Sequence, residues 1–222
     1  SGDFVVATAG PDLESIIAGK GAGTFSYSES HHTTAVNFDI GGGTTNLAVF
    51  KDGDIMDTAC FDIGGRLIKV DTNEIIRHIS PKAKEIIKKE VLDINLDKRI
   101  NPKEIEKLLN ILVQVLENSI GLGKKSPYFD LLIANKALNT KLEIECISFS
   151  GGVADGIDGN DLPNPYKYGD IGLLLGKKIS DSLLMKVPKV IPTVETIHAT
   201  VVGAGLHTTD VSGSTITYNK DI

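Results

Sequence analysis

Three consecutive stretches of the chain, Thr34 to Ile40, Thr45 to Phe50 and Ile55 to Phe61, carry the mixed apolar and alternating patterns of strands half-covered by a core. Gly41-Gly42-Gly43 separates the first two, and Lys51-Asp52-Gly53-Asp54 places an Asp-Gly hairpin signal before the third, so the three are predicted to form an antiparallel meander. Phe4 to Ala9 reads as an earlier strand, closed by Gly10-Pro11-Asp12 ahead of a short helix with Leu13, Ile16 and Ile17 on one side. Gly64-Gly65 is expected to open a helix reaching Ile76, and Ser80-Pro81 to cap a charged helix running to Glu90. Asn101-Pro102-Lys103-Glu104 is the clearest helix start, followed by a stripe of Ile105, Leu108, Leu109, Leu112, Val115 and Leu116. Leu131 to Ala134 is a candidate short strand, and Ile144 to Phe149 a stronger one that runs directly into Ser150-Gly151-Gly152. Helices are expected over Asp170 to Leu184 and Val194 to Ala204.

Meander, helices, strand, glycine turn and helices, in that order, predict an α/β fold with a mixed sheet and a helical subdomain inserted into it. The sheet core is assigned to residues 1–64 and 142–222, and the smaller helical insert to residues 65–141. The strand-like Phe4 to Ala9 and Ser214 to Tyr218 stand so close to the two ends that the 222 residues are expected to be a piece of a longer chain.

Composition narrows the function. A formal net charge of −6 disfavours nucleic acid and anionic membrane surfaces as partners, because both attract basic patches. The basic run Lys82 to Lys89 is interrupted by Glu85 and reads as a solvated helix face. Cys60 and Cys146 each lie in an apolar run with no second thiol at ligand spacing, as expected of buried reduced thiols in a cytoplasmic protein. His31 and His32 sit in a polar stretch without a third ligand and are read as an exposed loop; His198, His207 and Glu195 form no recognisable triad or zinc pattern.

The chemistry is carried by glycine turns. In Asp39-Ile40-Gly41-Gly42-Gly43-Thr44-Thr45, successive glycines let backbone amides converge on an anion and the threonine hydroxyls add donors, which makes a phosphate cradle. A strand follows the turn, so it is neither the common phosphate-binding loop nor the dinucleotide fingerprint, both of which run into a helix. Asp39 at its mouth could hold a hydrated Mg2+ or orient an attacking water. A flexible hairpin capped by Asp39 is the alternative, and spacing alone does not choose between them. Gly151-Gly152 follows a strand, where an open sheet receives a base or sugar, and Gly64-Gly65 could offer amides to a second phosphate; a packing turn is the competing reading of each.

Asp39 to Thr45 resembles the second phosphate motif of the actin/Hsp70 ATPase superfamily. Leu13 to Gly23 is similar to the first connecting helix of that superfamily, Ile147 to Val153 to its adenosine motif and Thr196 to Gly205 to its second connecting helix. The resemblance implies a ribonuclease-H-like core that binds ATP and Mg2+. It assigns Gly41, Gly42, Gly43, Thr44 and Thr45 to the phosphates, Gly151 and Gly152 to adenosine, and Asp39 to the metal or the water; Gly64 and Gly65 stay candidates for a phosphate or the ribose from the turn reading alone.

Ala9 to Gly19, Phe149 to Asp155 and Tyr168 to Gly172 resemble more narrowly the family of reactivating factors for ethanolamine ammonia-lyase. That family implies chaperone-like, ATP-dependent release of damaged cobalamin from the lyase, in the bacterial cytoplasm and in association with a metabolic microcompartment. It leaves a homo-oligomer open. No stretch matches the superfamily's first phosphate hairpin, so these residues alone are expected to hydrolyse ATP poorly or not at all. A sugar or acid kinase and a filament-forming actin homologue are the alternatives within the superfamily.

Overall fold

A computed structural model describes residues 10–139, 141–157 and 164–192. The expected strand Phe4 to Ala9, the helix from Val194, the strand at Ser214 to Tyr218, and His198, His207 and Glu195 lie outside the described residues. Helices α1 (Pro11–Gly21) and α2 (Thr24–His31) precede the meander of β1 (Thr34–Ile40), β2 (Thr45–Lys51) and β3 (Asp54–Phe61). Two short strands, β4 (Ile68–Val70) and β5 (Ile76–Ile79), come next, then α3 (Pro81–Lys89), α4 (Pro102–Ser119) and the single turn α5 (Phe129–Leu132). The chain returns to the sheet as β6 (Cys146–Ser150), crosses α6 (Gly172–Ser180) and adds a short edge strand, β7 (Lys189–Val190).

The main sheet has the order β3-β2-β1-β6-β7. The three meander strands are antiparallel, whereas β6 runs parallel to β1 and β7 parallel to β6. This is the strand order and direction of a ribonuclease-H-like core, in agreement with the α/β expectation.

The two faces of the sheet differ in chemistry because alternate side chains point opposite ways. One face presents Val36, Phe38, Leu47, Phe61, Ile147 and Phe149, buried in one continuous apolar cluster with Ile86, Leu108 and Leu112 of the inserted segment. Truncating a fully buried phenylalanine such as Phe38 to alanine costs about 3–5 kcal/mol. The other face mixes polar side chains with small and apolar ones and is built for close approach. A side chain at Gly19 of α1 would collide with the Phe50 ring, the Thr24 hydroxyl of α2 lies 2.6 Å from the Ser148 hydroxyl, and the Asn37 amide donates to the Ser150 hydroxyl at 3.0 Å.

The long helix starts where the sequence places it: Asn101 accepts from the Lys103 amide at 3.2 Å, Pro102 occupies the first turn, and the whole predicted stripe is buried. Glu104, however, takes the Asp93 amide at 3.2 Å and the Lys107 ammonium at 2.7 Å instead of reaching back to the cap. Ser80 caps α3 through the Ala83 amide, and Glu85 pairs with Lys89 on its solvent side. Cys60 and Cys146 are free and buried, and burial pushes the Cys60 thiol up to about 11.

Four expectations are corrected. Residues 65–76 do not form a helix: a 3-10 turn over Gly65–Leu67 leads into the β4/β5 pair, so the inserted segment is not wholly helical. Leu131 and Leu132 belong to the turn of α5, and only Ile133 bridges to Phe61 of the sheet. The helix expected from Asp170 begins at Gly172, where the Asp170 side chain accepts the Gly172 amide at 2.8 Å ahead of it, and stops at Ser180. His31 ends α2 stacked on Tyr27, and His32 follows as its left-handed cap, so this polar stretch is mostly helix where a loop was expected.

Candidate functional site

The parallel pairing of β1 with β6 brings the hairpin after β1 beside the turn after β6. Asp39 pairs with Ser150, and beyond that point the Val153 amide donates to the Ile40 carbonyl at 3.2 Å. The turn after β3 closes on the hairpin from the other side, with Gly65 donating to the Gly41 carbonyl at 3.1 Å and Arg66 to the Gly42 carbonyl at 2.6 Å. Two glycines make these contacts sterically feasible. At Gly64 an added Cβ would lie 2.5 Å from the Gly42 oxygen, and at Gly151, where φ is +83°, it would lie 2.5 Å from the Ile40 oxygen.

The result is one cavity of about 360 Å³. Gly41 and Gly42 of the hairpin, Gly65 and Arg66, Gly152, Val153 and Asp155, and the Tyr168 to Leu173 approach to α6 all contribute to its wall. Among the described residues, the amides of Gly42 and Gly43 have no backbone acceptor, while the Gly41 amide is taken by Thr44 at 2.9 Å. Two adjacent donors are thus left at the tip of the hairpin for an anion. Arg66 leans over Gly42, its Cδ 2.8 Å from where a Cβ would sit, and its nearest carboxylate is Asp170 at 4.0 Å. The guanidinium is two-thirds exposed and adds a cation at the rim.

The residues singled out from sequence fall into three groups. Gly41, Gly42, Gly65 and Gly152 line the cavity, with Gly43 exposed at its edge. Gly64 and Gly151 stand behind it as the points of contact between turns. Thr45 is fully buried, its hydroxyl donating to the Ile63 carbonyl at 2.7 Å, and Thr44 offers its carbonyl to Gly41. Arg66, Asp155, Tyr168 and Asp170 were not proposed as site residues from sequence. Glycine spacing alone could not find them; the signal lay in the Phe149 to Asp155 and Tyr168 to Gly172 segments and in the residue after Gly64-Gly65.

Asp39 is 8% exposed and its carboxylate accepts the Ser150 hydroxyl at 2.9 Å. It lies on the mixed face of the sheet, opposite Asn46 in the register. The Asn46 side-chain oxygen is buried and has no hydrogen-bond partner among the described residues. A carboxylate and an unpaired amide oxygen are hard donors that suit Mg2+, which keeps several waters and takes one or two protein carboxylates together with ligand phosphates. Among the described residues no three His, Cys, Asp or Glu side chains converge as a metal cage. The residues present therefore fit a water-held ion brought in with a phosphate ligand, and no all-protein site. Nor is any described helix long and apolar enough to cross a membrane.

Comparison with known proteins adds the family. The family model described as "Ethanolamine utilisation protein EutA" matches residues 1–222. The chain is 37% identical over 220 residues to the ethanolamine ammonia-lyase reactivase EutA of Salmonella typhimurium, and 37% identical over 216 residues to that of Escherichia coli. Each match covers 97% of this chain and 46% of the relative, so the chain spans about half the length of the curated relatives it matches. Among solved structures, it is similar to a Ppx/GppA family member from Aquifex aeolicus, with a TM-score of 0.44 and 10% identity over 92% of this chain and 64% of the other. MreB5 of Spiroplasma citri bound to AMPPNP gives a TM-score of 0.40 and 17% identity, covering 89% of this chain and 58% of that one.

Proposed function

This chain belongs to the EutA family of ethanolamine utilisation proteins, and from that membership we propose that it is the nucleotide-binding half of an ATP-dependent reactivase acting on ethanolamine ammonia-lyase. The observation that carries the proposal is the meeting of the hairpin after β1, the turn after β3 and the turn after β6 at one cavity, with the Gly42 and Gly43 amides left without acceptors.

In this reading the terminal phosphates lie on the Gly42 and Gly43 amides, with Arg66 adding positive charge, and the nucleoside lies toward Gly152 and Tyr168. Mg2+ would be held through water by Asp39, with Asn46 supplying a further oxygen, and when bound it neutralises charge on the phosphates. Asp39 also orients the attacking water. Ser150 fixes its carboxylate in place by hydrogen bonding. Residues 1–64 and 142–222 form the nucleotide-binding core and residues 65–141 the lobe packed on its apolar face.

The output is mechanical. Hydrolysis removes the contacts between the γ-phosphate and the Gly42–Gly43 tip, so the equilibrium between open and closed arrangements of this half and the rest of the protein shifts. The first connecting helix, within α1, serves as a hinge, and the movement is applied to the lyase to release spent cobalamin in the bacterial cytoplasm. The direct test is recovery of inactivated ethanolamine ammonia-lyase by the full-length protein. Recovery that needs both ATP and fresh adenosylcobalamin is expected; recovery indifferent to ATP would remove the nucleotide from the mechanism.

A further inference from the structure

A second cavity, of about 430 Å³, shares Arg66 with the first. Its wall includes Gly43 of the hairpin tip, Arg66 itself, Lys69 of β4 and His78 of β5. Lys69 and His78 are directly paired across the β4/β5 ladder, so both side chains rise from the same face. Neither makes an ion pair with any described residue. The one carboxylate in the wall, Asp62, is already engaged by Lys82, which also donates to the Ile133 carbonyl at 2.9 Å. With that pair neutral and Arg66 only loosely paired with Asp170 at 4.0 Å, Lys69 and Arg66 leave the cavity wall cationic in a chain whose formal net charge is −6.

Two features make this arrangement specific for a small multivalent anion. Lys69 and His78 stand side by side on the strand pair, so one oxyanion can accept hydrogen bonds from both, with the Lys69 ammonium adding full charge. The exposed Gly43 amide supplies a directed donor, and the Arg66 fork matches the spacing of two oxygens on a tetrahedral anion. Arg66 lines both cavities, and Gly42 of the first is followed in the chain by Gly43 of the second, so the two sites are neighbours at the hairpin tip.

We propose that this second cavity is a binding site for a phosphate dianion, and that it receives the phosphate cleaved from the nucleotide. The site itself is read from its own residues; its role as a product site rests on the nucleotide reading above. In that step the oxygen of water bonds to the terminal phosphorus as the bond from phosphorus to the bridging oxygen breaks. The bridging oxygen leaves with ADP, and the water's proton passes to solvent. The new phosphate is thereby released beside Gly43, one residue from the second cavity. Retention there would delay opening until phosphate leaves.

The test is calorimetric titration of inorganic phosphate, of acetate and of ATP with Mg2+ into the intact protein and its Lys69→Gln/His78→Gln variant. Both side chains are exposed, so the neutral replacements leave the core untouched. Phosphate binding weakened about tenfold or more, with ATP affinity held within about twofold, is the expected result. Absence of phosphate binding to the wild type, or equal binding by the variant, would overturn the site. Acetate binding as tightly as phosphate, and falling equally in the variant, would overturn its assignment to phosphate. Phosphate binding lost in the variant of a protein that takes no ATP would keep the anion site while removing its product role and the nucleotide reading with it.

Discussion

Replacing Gly64 by alanine isolates the contact that holds two of the site's turns together. Gly64 has φ −171° and ψ 174°, extended backbone open to any residue, so alanine brings no dihedral penalty. The cost is purely steric. The new methyl would sit 2.5 Å from the Gly42 oxygen, 2.6 Å from its carbonyl carbon and 2.7 Å from the Gly41 oxygen, all of them backbone atoms. Relief requires the turns to part by most of an ångström, which lengthens the hydrogen bonds from Gly65 to Gly41 and from Arg66 to Gly42. Overpacking of this kind costs about 1–3 kcal/mol, and each weakened hydrogen bond adds about 1 kcal/mol. The sum is about 4 kcal/mol. With a urea dependence of about 3 kcal/mol per molar, the unfolding midpoint should fall by roughly 1.3 M. Gly43→Ala is the internal control, since its added carbon meets nothing within 4 Å; its midpoint should stay within about 0.2 M. Equilibrium urea unfolding followed by circular dichroism reads both variants. A Gly64→Ala midpoint as close to wild type as that of Gly43→Ala would refute the interlock.

Asp39→Asn keeps an acceptor for the Ser150 hydroxyl and should fold normally, yet in the full-length protein ATP turnover should drop by about 100-fold or more; unchanged turnover would take Asp39 out of the reaction. Val91 is 88% exposed with φ +53°, a left-handed position that penalises a branched residue. Val91→Gly should therefore raise stability by about 1 kcal/mol in the same urea assay, and a loss would show that Val91 packs on something. The Thr34 amide and the Thr33 hydroxyl on Glu145 hold its carboxyl below the ordinary range, so its contribution is present above about pH 4.5 and lost as pH falls through the depressed value. Glu145→Gln should accordingly flatten the acid limb of a stability-against-pH profile, and an unaltered limb would contradict the assignment.

The meander was legible because its signals are local. Asp52-Gly53 turns the chain, β1 and β2 occupy the predicted stretches, and β6 runs straight into its glycine turn. The α4 stripe was equally clear, since eighteen residues give the helical period room to repeat. The β4/β5 pair was not, because three and four residues are too short to display an alternation, and their buried Ile68, Val70, Ile76 and Ile79 fit a helical reading just as well. α2 escaped because it buries only Thr24 and Ser28, with no apolar stripe.

The candidate site divides along the same line. Its glycines announce themselves in the sequence, whereas Arg66, Asp155, Tyr168 and Asp170 converge only because Gly65 packs against Gly172, where a side chain would approach the other backbone to 2.7 Å. That approach joins segments more than a hundred residues apart, and no spacing rule contains it. Thr45 shows the converse: a residue type suited to phosphate, set by the strand's alternation so that its hydroxyl turns inward to Ile63.

Calorimetric titration of ATP with Mg2+ into the full-length protein and its Gly42→Val variant tests the nucleotide site most directly. The three atoms nearest a Cβ at Gly42 all belong to the flexible Arg66 side chain, so the variant should fold while its bulk covers the amides of the hairpin tip. The account predicts at least a tenfold loss of affinity, about 1.4 kcal/mol. Equal affinity in wild type and variant would mean that the phosphates, if bound at all, lie elsewhere.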